Sequence, residues 1–340
     1  MIKNCARNQV VDILRGIAAV LMILGHSFIV YPVNIELVPW CAATKHFIYS
    51  FHMGLFFILA GYVYHCEDYR KFISKKIKRI AIPYFVFGVG VMMLRAFGGA
   101  TTNRHESIEE GLFKLFFQGG GYWFLYVSFL IFMIYPFIDK VLSKNIVYET
   151  MVCGFLLVID QFFDVTNFFA LGKVVHYLPY FVLGRIVAKC FLMEESQKNW
   201  RKTLLAICAL VGYMLFDIYE LCSGEKLRAI PYFVRAVSIC YVIYYITEIA
   251  LHKCMSCNCG KSIKLLLTDC SRFSLQLYLF NGYLLTAIRI VICNFMKIRS
   301  PFIIVISIWI GNLVITLILC RFLLPKFSML AKACGISPMR

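Results

Sequence analysis

Residues 10–26 read VVDILRGIAAVLMILGH, and the fold turns on this stretch. Continued to residue 30, it is long enough to cross a bilayer core of about 30 Å, which takes roughly 20 apolar residues. Three positions break the pattern: Asp12, Arg15 and His26. A charge in such a run costs about 2.5–3.5 kcal/mol on an insertion scale, so a retained one marks a function or a partner. At about 100° per residue, Arg15 and His26 fall within roughly 20° on one helix face, about 16 Å apart along the axis. Asp12 stands three residues before Arg15, at a spacing where side chains meet. The resulting stripe has to face protein or a wet cavity rather than lipid. A plainer alternative makes Asp12 and Arg15 a local pair at the membrane interface and His26 a packing residue.

The same pattern governs the rest of the chain. Of its 340 residues 61% are hydrophobic and 16% charged, with a mean hydropathy of +0.77. A soluble domain carries roughly 25% charged residues. Apolar runs predict spans at 10–30, 47–65, 80–97, 122–138, 146–163, 168–188, 203–221, 230–251, 273–293 and 302–324. The expected fold class is therefore all-α, a polytopic membrane protein of about ten transmembrane helices. Ten spans and short loops use up residues 1–340, so one membrane domain is expected and no separate soluble domain. No cleavable signal peptide is expected, because Asp12 and Arg15 interrupt the first apolar run. Placing the N-terminus in the cytosol gives the inner loops more than twice the Lys and Arg of the outer ones. That bias predicts an N-in, C-in protein of the plasma or inner membrane.

The net charge of +17 does not point to nucleic acid, because the cations sit in short loops between apolar runs. The fifteen cysteines fall mostly within spans or on loops assigned to the cytosol, where thiols stay reduced. Cys254, Cys257 and Cys259, with Cys270 beyond, form one cluster rather than two spaced ligand pairs, so no metal is expected. No oligomeric state is assigned.

A second feature is YRKFISKKIKR at 69–79, six cations in eleven residues. It suits a polyphosphate ligand, and equally an ordinary cytosolic loop against anionic headgroups. Arg235 and Arg289 lie inside apolar runs and call for acidic or carbonyl partners, with Asp160, Asp217 and Glu220 as candidates. His176, near Pro179, reads as a buried, hydrogen-bonded histidine, with a cavity-lining place in the sixth run as the alternative. His52 and His65 stand about 140° apart around their helix and share no face.

Together these residues resemble the acyltransferase 3 family of multi-helix membrane O-acyltransferases. Asp12, Arg15, Gly16, Ala18 and His26 resemble its first-helix signature, and FFILAGY at 56–62 its second-helix Phe-Phe-x-x-Ser-Gly-Phe. Lys76, Lys78 and Arg79 before Pro83 and Tyr84 resemble its basic pair ahead of a proline-tyrosine. YWFL at 122–125, Tyr180-Phe181 before Gly184, and LYLF at 277–280 resemble later stretches. The chain departs at Ala60 and Lys76, where serine and arginine are common, and at Asn281, where many members have histidine.

The resemblance implies transfer of an acyl group, usually acetyl from acetyl-CoA, to a hydroxyl of a cell-surface carbohydrate or its glycolipid precursor. On that basis His26 is expected to act as general base or transient acyl carrier, with Asp12 orienting Arg15. Arg15, Lys76 and Arg79 are expected to bind acyl-CoA from the cytosolic side, and Trp123 to shape the acceptor side. A histidine titrates where an acceptor hydroxyl needs a base. A transporter or flippase is the alternative; it would show symmetry between its halves, and the charged first helix and basic run have no counterpart in 170–340.

Overall fold

The computed structural model describes residues 8–97, 106–142, 145–191, 199–253 and 258–336. Among these the fold is all-α, without strands. α1 (Gln9–His26) starts where the Asn8 side chain accepts the Val10 N–H, and stops where the Ser27 hydroxyl donates to the Ile23 carbonyl. It is the central helix, touching α3, α11, α12, α13 and α14, introduced below.

α2 (Pro39–Tyr49) and α3 (His52–Tyr62) take the place of the second predicted span. The helix breaks at Ser50 and Phe51: the Ser50 hydroxyl donates to the Phe47 carbonyl, and the His52 ring takes up the Ile48 carbonyl. Helix-end carbonyls that have lost their N–H partners are satisfied by side chains. α4 (Tyr69–Lys76) carries the basic run. It enters α5 (Ile82–Phe97) through a widened turn in which Ile82 N–H bonds to Ile77, just ahead of Pro83 and its missing N–H.

α6 (Ile108–Phe117), α7 (Trp123–Val141), α8 (Ile146–Phe162) and α9 (Leu171–Phe191) follow. The two long helices α10 (Asn199–Ser223) and α11 (Ala229–Lys253) pack on one another. α12 (Asn258–Arg272), α13 (Ser274–Arg289), α14 (Pro301–Ile318) and the short α15 (Ser328–Ala333) complete the chain. Leu204, Ile207, Val211 and Leu215 of α10 are exposed, as are Ile303, Ile310 and Val314 of α14. Such apolar outer faces suit lipid, not water.

Among the described residues seven helices are long and apolar enough to cross a membrane, rather than the ten runs read from sequence. The second run is split, leaving α3 only 11 residues. α8 has 17 residues, about 25 Å of helix against a core of about 30 Å. α9 is long enough but carries Lys173, His176, Pro179, Arg185 and Lys189.

Two glycines set one close helix crossing. A Cβ on Gly61 would run into the Phe181 backbone, and one on Gly184 into the Ile58 and Tyr62 backbones, so α3 and α9 meet nearly main chain to main chain.

Candidate functional site

The helix ends define two ends of the bundle. One holds the start of α1, the basic α4 and the far end of α7, where Tyr69 packs on Phe137. The other holds His26, α2, Trp123 and the start of α9. An inner cavity of about 610 Å³ lies toward the basic end. Arg15, Lys71, Lys75, Lys76 and Arg79 line it, with Glu67 and Asp68 on its rim and Phe56, Leu125 and Phe132 deeper in. The Ser271 hydroxyl also lines it, buried and without a hydrogen-bond partner among the described residues. Lys76 Nζ sits 3.5 Å from the Phe132 ring centroid and 5.0 Å from that of Phe72. Its charge is thus held by ring faces at the cavity wall, while Arg79 is exposed.

A central cavity of about 540 Å³ lies toward the other end. His26, His46, Tyr49, His52, Trp123, Tyr177, Glu220, Arg235 and Asn281 are among its lining residues. Met53 and Tyr278 line both cavities and form the wall between them. Met22, one turn before His26 on α1, lines the inner cavity, so α1 runs alongside both.

The first-helix stripe thus divides between two compartments: Arg15 in the inner, His26 in the central. Asp12 is half-buried and is not among the described lining residues of either cavity. Lys76 and Arg79 join Arg15, and Trp123 joins His26.

His26 is open to its cavity, with Nδ1 3.3 Å from the Tyr49 hydroxyl. When Nδ1–H donates to that oxygen, Nε2 keeps its lone pair for a substrate. His52 is fixed more firmly. Its Nδ1 lies 2.8 Å from the Ile48 carbonyl, which can only accept, so Nδ1 carries the proton. The His52 ring stands 5.0 Å from the Tyr49 ring, edge-on, making a His26–Tyr49–His52 row. His65, the other histidine of the second apolar run, lies on the inner cavity instead. A histidine in an apolar run, the signal that picked out His26, marks His52 as well.

Asn281 lines the central cavity. Its carbonyl oxygen accepts from Asn312 Nδ2 at 2.7 Å, and its amide reaches Met22 Sδ at 3.9 Å.

The buried arginines find the kinds of partner expected of them. Arg235 bonds to Glu220 and lies 3.5 Å from Asp217, while Arg289 donates to the Tyr31 carbonyl at 3.1 Å. Asp160 is taken instead by His176 Nδ1, at 2.7 Å. His46, Asp217 and Glu220 converge as a metal's ligands would, with His46 Nε2 2.9 Å from Asp217. The Arg235 guanidinium already supplies the positive charge that this donor set asks for.

Cysteines among the described residues are free thiols. Cys254 and Cys257 lie outside the described residues; Cys259 is exposed on α12 and Cys270 buried at its far end.

Comparison with curated proteins and with solved structures finds no match in either. The family described as an acyltransferase domain matches residues 8–322 of the 340, a range that takes in every residue lining the two cavities. That match, on an all-α chain whose long helices present apolar faces, makes the protein a multi-pass membrane acyltransferase that belongs to the acyltransferase 3 family.

Proposed function

We propose that the protein moves an acyl group, acetyl in the first instance, from acyl-CoA to a hydroxyl of a cell-surface carbohydrate or its glycolipid precursor. The observation that carries the reading is a pair of adjoining cavities that share Met53 and Tyr278 in their walls, basic on one side and histidine-bearing on the other. The family supports acyl transfer; the cations support an anionic donor. With the N-terminus inside, the inner cavity opens to the cytosol, where acyl-CoA is made.

In this scheme Arg15, Lys75, Lys76 and Arg79 attract the phosphates of coenzyme A, and Asp12 tempers Arg15. Unlike arginine, Lys76 acts as a point charge without a bidentate fork. The pantetheine arm passes Met53 and Tyr278 and brings the thioester toward His26, about 16 Å above Arg15 by helix rise. His26 Nε2 takes the proton of the acceptor hydroxyl as its oxygen attacks the thioester carbonyl carbon. The C–O bond forms, the C–S bond breaks, and the coenzyme A thiolate leaves and recovers a proton. In the reactive tautomer the Tyr49 oxygen accepts from Nδ1–H, which leaves Nε2 basic, and Trp123 borders the acceptor's side.

The test uses membranes holding the full chain, labelled acetyl-CoA and the envelope glycan fraction. His26→Gln should lower transfer by about 10²–10⁴-fold, the usual worth of a positioned base. It should leave untouched the thermal stabilisation that coenzyme A gives the detergent-solubilised protein. Full turnover in His26→Gln removes the base from the scheme, and failure of coenzyme A to stabilise the wild type removes the donor.

A further inference from the structure

Beyond the central cavity lies a third opening of about 480 Å³, which none of the roles above uses. Its walls are the start of α9 and the segment 163–167 that precedes it, and it shares Trp123 and Tyr177 with the central cavity. Those two rings stack at 5.3 Å and 28°. Tyr177 in turn stacks on the fully buried Phe57 at 4.8 Å and 23°, so the platform is rooted in the core.

Polar groups of several kinds surround the platform. Lys173 Nζ stands 5.1 Å from the Trp123 ring centroid. Asp160 spends one oxygen on His176, and Asp164 and Asn167 are exposed. The wall that carries Asn167 is tightly tied: Phe168 N–H bonds to the Thr166 hydroxyl, Ala170 N–H to the Asn167 carbonyl, and Gly172 N–H to the Thr166 carbonyl. Phe168 stacks on Phe117 at 5.2 Å. Phe169 and Ala170 sit at φ 52° and 51°, a region that non-glycine residues enter at a cost of about 1–3 kcal/mol each. The cleft wall is therefore held in one shape by hydrogen bonds and packing.

An aromatic platform flanked by carboxylate, amide and ammonium groups fits a ligand with apolar C–H faces and a girdle of hydroxyls. The platform gives area at low entropic cost, and the polar groups read orientation. A nucleotide or fatty acyl chain would ask instead for concentrated cations or a wholly apolar wall.

We propose that this cleft, formed by Trp123, Tyr177, Asp160, Asp164, Asn167 and Lys173, is the site where a pyranose ring of the acceptor glycan docks, feeding its reactive hydroxyl past Trp123 into the central cavity. The inference rests on the acyl-transfer reading above and adds to it the acceptor's docking site and its route. The Asp160–His176 pair then serves as a hydrogen-bonding anchor at the cleft, apart from the proton transfer at His26.

The experiment measures transfer from labelled acetyl-CoA in membranes across a range of envelope glycan concentrations, with methyl pyranosides of a hexose, an N-acetylhexosamine and a hexuronic acid as competitors and open-chain sorbitol as control. Asp164→Ala combined with Asn167→Ala, both at exposed positions, and Trp123→Ala should each raise the half-saturating glycan concentration about tenfold, the size of a modest hot-spot contact. The KM for acetyl-CoA and the stabilisation by coenzyme A should stay as in the wild type, and Trp123→Phe should recover most of the glycan affinity. At least one pyranoside should compete where sorbitol does not. Unchanged glycan saturation in the Asp164/Asn167 variant, equal shifts for donor and acceptor, or competition by sorbitol equal to the pyranosides would overturn the cleft assignment while leaving the donor reading intact. A wild type that shows neither transfer nor stabilisation by coenzyme A overturns the donor reading and this inference with it.

Discussion

Replacing Met53 by tryptophan puts a bulky, rigid ring into the wall that the two cavities share. The size of the effect follows from α1. Met22 marks the top of the inner cavity on that helix and His26 lies four residues on, so a blocked thioester stops about 6 Å short of the imidazole. Reaction needs the atoms within about 3–3.5 Å, and a misplacement of 1 Å can already cost about 10²-fold. Transfer in Met53→Trp should therefore fall by at least about 10²-fold, or roughly 2.7 kcal/mol in barrier. In the proposed scheme the phosphates bind below the wall, so stabilisation by coenzyme A should persist within a degree or two of the wild-type shift. Met53→Leu, of similar volume, should retain most activity. Acetyl transfer measured alongside thermal melting with and without coenzyme A separates the two effects. Wild-type turnover in Met53→Trp, with unchanged melting, would refute the idea that the donor arm crosses this wall.

Other perturbations test other parts. Tyr49→Phe frees His26 Nδ1 and should lower turnover about tenfold, within the range ascribed to positioned acid–base groups, and shift the pH–rate profile without changing the KM for acetyl-CoA. Replacing Lys75, Lys76 and Arg79 together by glutamine should raise that KM and flatten its dependence on salt, since exposed charges attract a polyanion through a screened field. Gly184→Ala forces a methyl toward the Ile58 and Tyr62 main chains, and overpacking of this kind costs about 1–3 kcal/mol, read as a lower melting temperature in detergent. Glu106 supplies a pH test. Burial pushes its carboxyl up, but hydrogen bonds from Arg95 and Lys114 outweigh this and hold it below the usual carboxylate range. Such a group stabilises the fold fully above its unfolded pKa of about 4.3, and the contribution is lost as pH falls through the lower folded value. Melting temperature should drop more steeply below pH 4 in the wild type than in Glu106→Gln.

The sequence makes the first helix legible because a charge in an apolar run has few bland explanations, and helix geometry alone relates Arg15 to His26. It does not reveal that the stripe serves two compartments. The dividing wall comes from Met53 and Tyr278, far apart in the chain, whose meeting is a matter of tertiary packing. Helix breaks escape the sequence for a related reason. Hydropathy averaged over 47–65 cannot see that the Ser50 hydroxyl and the His52 ring together end one helix and start another. The partners of Arg235 are drawn from the acids that sequence offered, since charge demands charge in a dry interior, but the allocation of Asp160 to His176 needed coordinates. The third cleft was forewarned only by separate residues, Trp123, Asp160 and His176, because its aromatic stack gathers Phe57, Trp123 and Tyr177 from three separate helices.

If a donor arm crosses at Met53 and Tyr278 as proposed, the partition they help form has a second duty. A protein hollowed from both ends of its bundle, across a bilayer that holds a voltage, is two blind wells back to back. An elementary charge that slips from one to the other dissipates about 2.3 kcal/mol for every 100 mV. On the proposed reading this septum, with a thioether and a phenol in it, is also the electrical insulation of the enzyme, and a donor thiol ester threading it would at that moment be its cork.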